Sequence, residues 1–319
     1  MASSWLSTRL FPKFAGASAY ALTGVASRCD WVVLSDEASP NALLVDRAGV
    51  AAPRHIFLSL REPFEALRFF AQEVIPRLTE PFVLVSGSED VTIPRQTDRR
   101  WRSFDVDERA IIERILAHPL LRCWFAENLE EAVHSRLRPL PLGMVYPSGA
   151  PRAETSAYRP PSQASRPLRV LCAHRVRPDE QWQTRRDVTQ LAKQHWPGWT
   201  SILEEDVPEA EFISLIEQHS FVLCVEGGGL DPSPKAWLSL LHGAIPIIRE
   251  TPVAAAYRDL PVVVVPAWAP ETLSLALLAA WKAELSADFD IVVRRDAVVQ
   301  RLTLDYWWAR VEAAALETS

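Results

Sequence analysis

Short apolar runs rich in β-branched residues alternate along this chain with longer segments whose apolar positions recur every three to four residues. That is the pattern of βα units building parallel sheets. In the first half the runs Trp31–Leu34, His55–Leu60, Phe82–Ser86 and Leu121–Phe125 predict strands, and Pro63–Ile75, Glu108–Ala117 and Leu129–Arg136 predict helices. Between Pro147 and Pro167 the periodicity stops, and five prolines among Ser, Gly and Ala mark a linker. Alternation then restarts. Strands are expected at Leu168–Ala173, Phe221–Val225, Ala244–Ile248 and Val262–Val265, and helices at Arg185–His195, Glu209–His219, Pro234–His242 and Pro270–Glu284. The segment from Arg294 to Leu316 reads as one long helix carrying Tyr306, Trp307 and Trp308. The expected fold class is α/β, with two Rossmann-like domains facing each other across a cleft. Residues 1–150 are expected to form the first domain, 151–167 the linker and 168–293 the second domain, with a terminal helix, 294–319, packing back on the first. Ligands of open α/β sheets bind at the carboxyl ends of the strands, so candidate chemistry is sought there.

Composition narrows the class. At 319 residues the chain exceeds the roughly 250–300 at which single cores stop growing, which agrees with two domains. Its 48% apolar and 23% charged residues exclude a disordered chain, a coiled coil and a collagen-like fibre. Thirty-four basic against 40 acidic residues leave a net charge of −6, so there is no overall basic field to hold nucleic acid. Cys29, Cys123, Cys172 and Cys224 are scattered, mostly inside apolar runs, as buried thiols of a reducing, cytoplasmic compartment would be; no Cys/His cluster points to zinc. The N-terminal stretch lacks a signal-peptide core and no window of about 18 apolar residues occurs, so no transmembrane segment is expected, while peripheral membrane contact stays open. Twenty-five prolines and 12 tryptophans against 11 glycines fit rigid loops around an aromatic-lined recognition surface.

The most informative stretch runs from Phe221 to Trp268. A buried strand leads into Glu226 and three of the scarce glycines, Gly227, Gly228 and Gly229, then into a Pro-bracketed turn and a helix. Ser233 is a candidate cap and Lys235 lies in the first turn, so the helix start is a candidate diphosphate seat; the plain alternative is a tight βα turn without a ligand. Neither a Walker A loop nor G-x-G-x-x-G is present. Gly243 is the expected C′ residue of that helix. The order F-x-L-x-x-x-G-x-G-L-D, then Lys235 and Trp237, then L-x-x-G-x-I-P-I-I, resembles the donor-binding domain of exostosin-type glycosyltransferases, which have the GT-B fold. YRDLPVVVVPAW and YWWARV are similar to later parts of that domain. VSGSEDVTIP, LRCWFAENLEEA and LRPLPLGM are similar, more weakly, to acceptor-side segments.

The resemblance implies transfer of a sugar from a nucleoside-diphosphate donor to a glycan-type acceptor hydroxyl, inverting and without a metal, in polysaccharide biosynthesis. The nucleotide sugar is a co-substrate and no cofactor is implied. One departure stands out: by position Leu238 replaces the helix Glu that binds ribose in such enzymes, leaving Glu226 or another polar residue to supply that contact. The leaving diphosphate needs cations or helix-end N–H groups. Lys235 is the first candidate, His174 and Arg175 follow the strand ending at Ala173, and Arg185 with Arg186 opens the next helix; a solvated basic face is the alternative for the arginine pair. An inverting transfer also needs a base on the acceptor hydroxyl. Glu89 and Asp90, directly after a strand, lead, with a turn cap as the alternative for one of them; Asp36 and Glu37 form a second pair, and His55 begins a strand at the far edge. Asn128 is an acceptor-side candidate whose alternative role is to cap the helix expected at 129–136. Trp237 is the Trp nearest the phosphate turn; the others are mostly expected as packing.

Two other readings remain. Asp105-Val106-Asp107 and Asp288-Phe289-Asp290 have the D-x-D form with which GT-A transferases hold a divalent metal, although the first also looks like a helix N-terminus. A non-catalytic glycan- or nucleotide-binding protein with this fold would accommodate Leu238.

Overall fold

A computed structural model describes residues 4–145, 158–232 and 234–317. These divide into two compact units: residues up to 145 with 303–317, and 158–302.

The first unit is built on a six-stranded sheet in the order β2-β1-β3-β4-β5-β6. Its strands are β1 (Trp31–Leu34), β2 (Leu43–Asp46), β3 (His55–Ser59), β4 (Phe82–Gly87), β5 (Leu121–Ala126) and β6 (Leu137–Pro139). Only the β1–β2 pair is antiparallel. The apolar runs of β1, β3, β4 and β5 are almost wholly buried, as strands covered on both faces must be. Helix α1 (Pro63–Phe69) passes into a π turn at Phe70–Val74 and a 3₁₀ turn at Ile75–Arg77, where Pro76 lacks the N–H to continue an α-helix. Helix α2 (Val106–Ala117) starts in a capping box: Asp105 accepts from the Asp107 and Glu108 N–H groups, and the Glu108 carboxylate accepts from the Asp105 N–H. The first D-x-D tripeptide is thus a helix start.

The second unit has a five-stranded parallel sheet in the order β11-β10-β9-β7-β8. Its first three strands are β7 (Val170–Ala173), β8 (Thr200–Leu203) and β9 (Phe221–Leu223), joined by α3 (Gln183–His195) and α4 (Glu209–Glu217). Helix α5 (Pro234–Leu241), β10 (Ile245–Arg249) and β11 (Val263–Val265) follow, then α6 (Leu275–Leu285), α7 (Ala287–Asp290) and α8 (Val292–Arg301). Gly243 ends α5 at φ +77, and a Cβ there would meet Pro160 and Arg166 at 2.7 Å. The last helix, α9 (Leu304–Leu316), belongs to the first unit, where the Leu304 N–H donates to the Ser4 carbonyl at 2.8 Å and Trp307, Trp308 and Val311 are buried.

Three expectations change. Residues 129–136 are not helical: the Ile93 N–H bonds the Asn128 carbonyl and the Glu130 N–H the Ile93 carbonyl, so the neighbouring loop captures the backbone groups a helix would need. The long C-terminal helix is two, because Thr303 is extended and its hydroxyl caps α9 on the Tyr306 N–H. Of the expected linker, 151–157 lies outside the described residues, while 158–167 packs on the second unit: Gln163 donates to the Gly243 carbonyl at 2.6 Å, and Arg166 reaches the Ile216, His219 and His242 carbonyls. Among the described residues no helix is long and apolar enough to cross a membrane.

Candidate functional site

In the second unit the chain leaves β7 toward β8, then returns to place β9 on the other side of β7. This reversal is a topological switch point, where loops on either side diverge and leave a crevice at the carboxyl edge. A cavity of about 690 Å³ lies there, lined by the residues after β7, the loop after β8 and the start of α5. Lys235 and Leu238 lie one turn apart on α5 and both line it, whereas Ala236, Trp237, Leu240 and Leu241 on the other side of that helix are buried. Burial and the nearby Arg185 guanidinium bring the Lys235 ammonium down to about 7. Arg185 donates to the Glu226 carbonyl at 3.2 Å and lies 4.5 Å over the Trp182 ring; both line the cavity. Arg175 also lines it, paired with Asp206 at 3.2 Å.

His174 lines the cavity but does not act as a cation there. Burial and Lys235 lower its pKa to about 3, and its Nε2–H faces the Arg185 carbonyl at 3.0 Å, tying β7 to α3. Its Nδ1 is left as a buried acceptor without a hydrogen bond. Trp237 is a core residue: it is 1% exposed, donates to the Leu302 carbonyl at 3.0 Å and meets Tyr257 edge-on. The Glu226 carboxylate does not line the cavity; it is held by the Arg249 guanidinium and by Trp268 Nε1 at 3.2 Å. Gly227, Gly228 and Gly229 form the loop between β9 and α5, and Ser233 lies outside the described residues. Arg186 braces residues 177–183 through the Asp179 carbonyl and the Gln183 side chain. Sequence reasoning passed over the acidic wall, Glu204 to Asp206 with Glu209, and Trp182 and Phe212. The signal was the run EEDVPE after an unrecognised strand, β8.

At the carboxyl edge of the first unit's sheet a network of charges closes on itself. Ser88, at φ +76, turns the chain after β4 so that Glu89 points inward. The Glu89 carboxylate meets Arg61 at 2.5 Å, Arg100 at 2.8 Å, and Arg9 and Lys13 at 3.5 Å. Asp90 pairs with Arg9 and, at 3.2 Å, with Arg100. These cations hold both carboxyls below their ordinary values despite burial. A base must accept a proton near the working pH, so neither residue is suited to that role. Asn128 is buried too, donating to the Glu89 carbonyl at 3.2 Å, and braces the loop rather than presenting its amide outward. Asp36 is taken by the Tyr20 hydroxyl and the Phe14 and Ala38 N–H groups. Glu37, beside it, is exposed and makes no hydrogen bond or ion pair among the described residues, and partial burial with nearby Glu89 raises its pKa. His55 meets Trp308 at a tilt, with ring centroids 4.8 Å apart, at the amino end of β3.

No group of His, Cys, Asp and Glu side chains among the described residues is arranged to hold a metal ion. Asp290, in the second D-x-D tripeptide, accepts from the Gln163 N–H at 2.8 Å and so anchors the 158–167 segment.

No known family model matches the chain, and no curated protein matches it. Among solved structures it is similar to OtsA in its apo form, at 10% identity over 83% of this chain and 73% of that one, with a TM-score of 0.46. It is also similar to the α,α-trehalose 6-phosphate synthase of Burkholderia multivorans (11% identity, 82% and 70% covered, TM-score 0.41). A third is the spinosyn rhamnosyltransferase SpnG complexed with thymidine diphosphate (12%, 82% and 73%, TM-score 0.36).

Proposed function

We propose that the protein is a glycosyltransferase that moves a sugar from a nucleoside-diphosphate donor to an acceptor hydroxyl, with the donor nucleotide in the cavity of the second unit. The observation that carries this reading is the coincidence of the switch-point cavity with Lys235 at the start of α5. The exostosin-type resemblance of residues 221–268 supports it, because α5 is the helix on which that resemblance places the diphosphate. Lys235, Arg175 and Arg185 offset the charge that develops on the leaving diphosphate, a task that needs no metal. A general base takes the acceptor proton as the acceptor oxygen bonds the anomeric carbon and the bond to the diphosphate breaks, which inverts the anomer. The alternative of a non-catalytic nucleotide-binding protein is favoured by Leu238, which lines the cavity where a ribose-binding acid is expected.

A panel of nucleoside-diphosphate sugars with glycan acceptors, read as nucleoside diphosphate released, separates the two. A transferase releases it, is indifferent to EDTA, and loses about 10²–10³-fold in kcat in Lys235→Ala. A binding protein takes up the nucleotide without turnover. Absence of both binding and turnover overturns both readings.

A further inference from the structure

We propose that the far end of this cavity is built to read guanine, so that the donor is a guanosine-diphosphate sugar; the inference rests on the nucleotide reading of the cavity. Lys235 and the acids of the cavity lie at its opposite ends, with Arg175 reaching Asp206 from the loop after β7. Lys235 follows β9, while Glu204, Glu205 and Asp206 follow β8, and β7 lies between those two strands. Two strand spacings separate the ends, roughly 10 Å, a span that a nucleoside diphosphate covers from its phosphates to its base. Trp182, with Arg185 over its ring, and Phe212 add apolar surface to the lining.

The acid end is selective because of what its members already hold. Glu204 is paired with Lys193 at 2.8 Å and Asp206 with Arg175 at 3.2 Å. Glu205 lines the same cavity and makes no hydrogen bond or ion pair among the described residues. An ionised carboxylate only accepts hydrogen bonds, and its two oxygens take two parallel N–H groups best. Guanine presents such a pair on its pairing edge, the ring N1–H and the 2-amino group. Uracil and thymine present one N–H between two carbonyl oxygens, and adenine sets a ring lone pair beside its amino group, so each brings an acceptor against the carboxylate. His174, whose buried Nδ1 has no hydrogen-bond partner, adds a second acceptor to the lining.

Calorimetry of the full chain with GDP, IDP, ADP, UDP and dTDP tests this. GDP is expected to bind at least about tenfold tighter than IDP, which lacks the 2-amino group, and than UDP, the scale of one hydrogen bond to a charged partner. Glu205→Gln should bring GDP down to the IDP level with UDP affinity and melting temperature unchanged, and Glu205→Ala should do the same. Equal GDP and UDP affinities, or a guanine preference that survives in both variants, overturn the inference and leave the nucleotide reading standing. If no nucleotide binds, the nucleotide reading fails and this inference with it.

Discussion

Lys235 is held partly out of water with Arg185 and Arg175 around it, and its ammonium is brought down to about 7. The charged form is therefore complete below that pH and lost above it. A diphosphate is already fully ionised above about pH 7, since its last proton leaves near pH 6. Affinity for a nucleoside diphosphate is expected to fall several-fold between pH 7.5 and 9, and a Lys235→Ala titration should be flat over the same range. Glu89 answers to a different balance. Its carboxyl is depressed by Arg9, Arg61, Arg100 and Lys13 in spite of burial, so its stabilising share is present above the ordinary carboxyl value of 4.5 and drains away as pH falls below it. Glu89→Gln strands buried guanidiniums and should cost about 3–5 kcal/mol in urea unfolding at pH 7. The basic residues of the cavity were legible because Arg175 directly follows β7 and Lys235 and Arg185 lie in the first turns of the helices after β9 and β7. The role of Glu89 was not: its partner Arg9 lies 80 residues away, and nothing local to SGSEDVTIP announces it.

Helix α5 shows what periodicity alone can and cannot deliver. Its apolar spacing marks a helix from Pro234, but Trp237 lies two residues from Lys235 and so about 200° around the helix from it. That turn carries it to the buried face, against Tyr257 and the end of α8. Trp237→Ala should destabilise the protein by about 3–5 kcal/mol, and under conditions where the variant is folded its nucleotide affinity should stay near wild type. Strands with wholly buried runs were read almost to the residue, as at Trp31–Leu34. β2 and β8 escaped because both lie at sheet edges, where short mixed runs such as Leu43–Asp46 and Thr200–Leu203 stay partly exposed. The 129–136 segment has helical spacing, yet the pairing of Ile93 with its backbone decides the outcome.

The alternation of strand and helix was enough to expect parallel sheets in two α/β units, because a crossover helix forces parallel neighbours. It could not give the strand order, which depends on which edge each crossover chooses. That order matters most here: the reversal between β8 and β9 puts the cavity at β7, while the first unit's parallel strands run β1-β3-β4-β5-β6 without one. The most direct test of a nucleotide in the switch-point cavity is hydrogen–deuterium exchange with and without saturating nucleoside diphosphate, GDP and UDP in turn. Slowed exchange at 173–177, 203–209 and 234–238 is the predicted result; binding that leaves those three segments unchanged and protects others would contradict it.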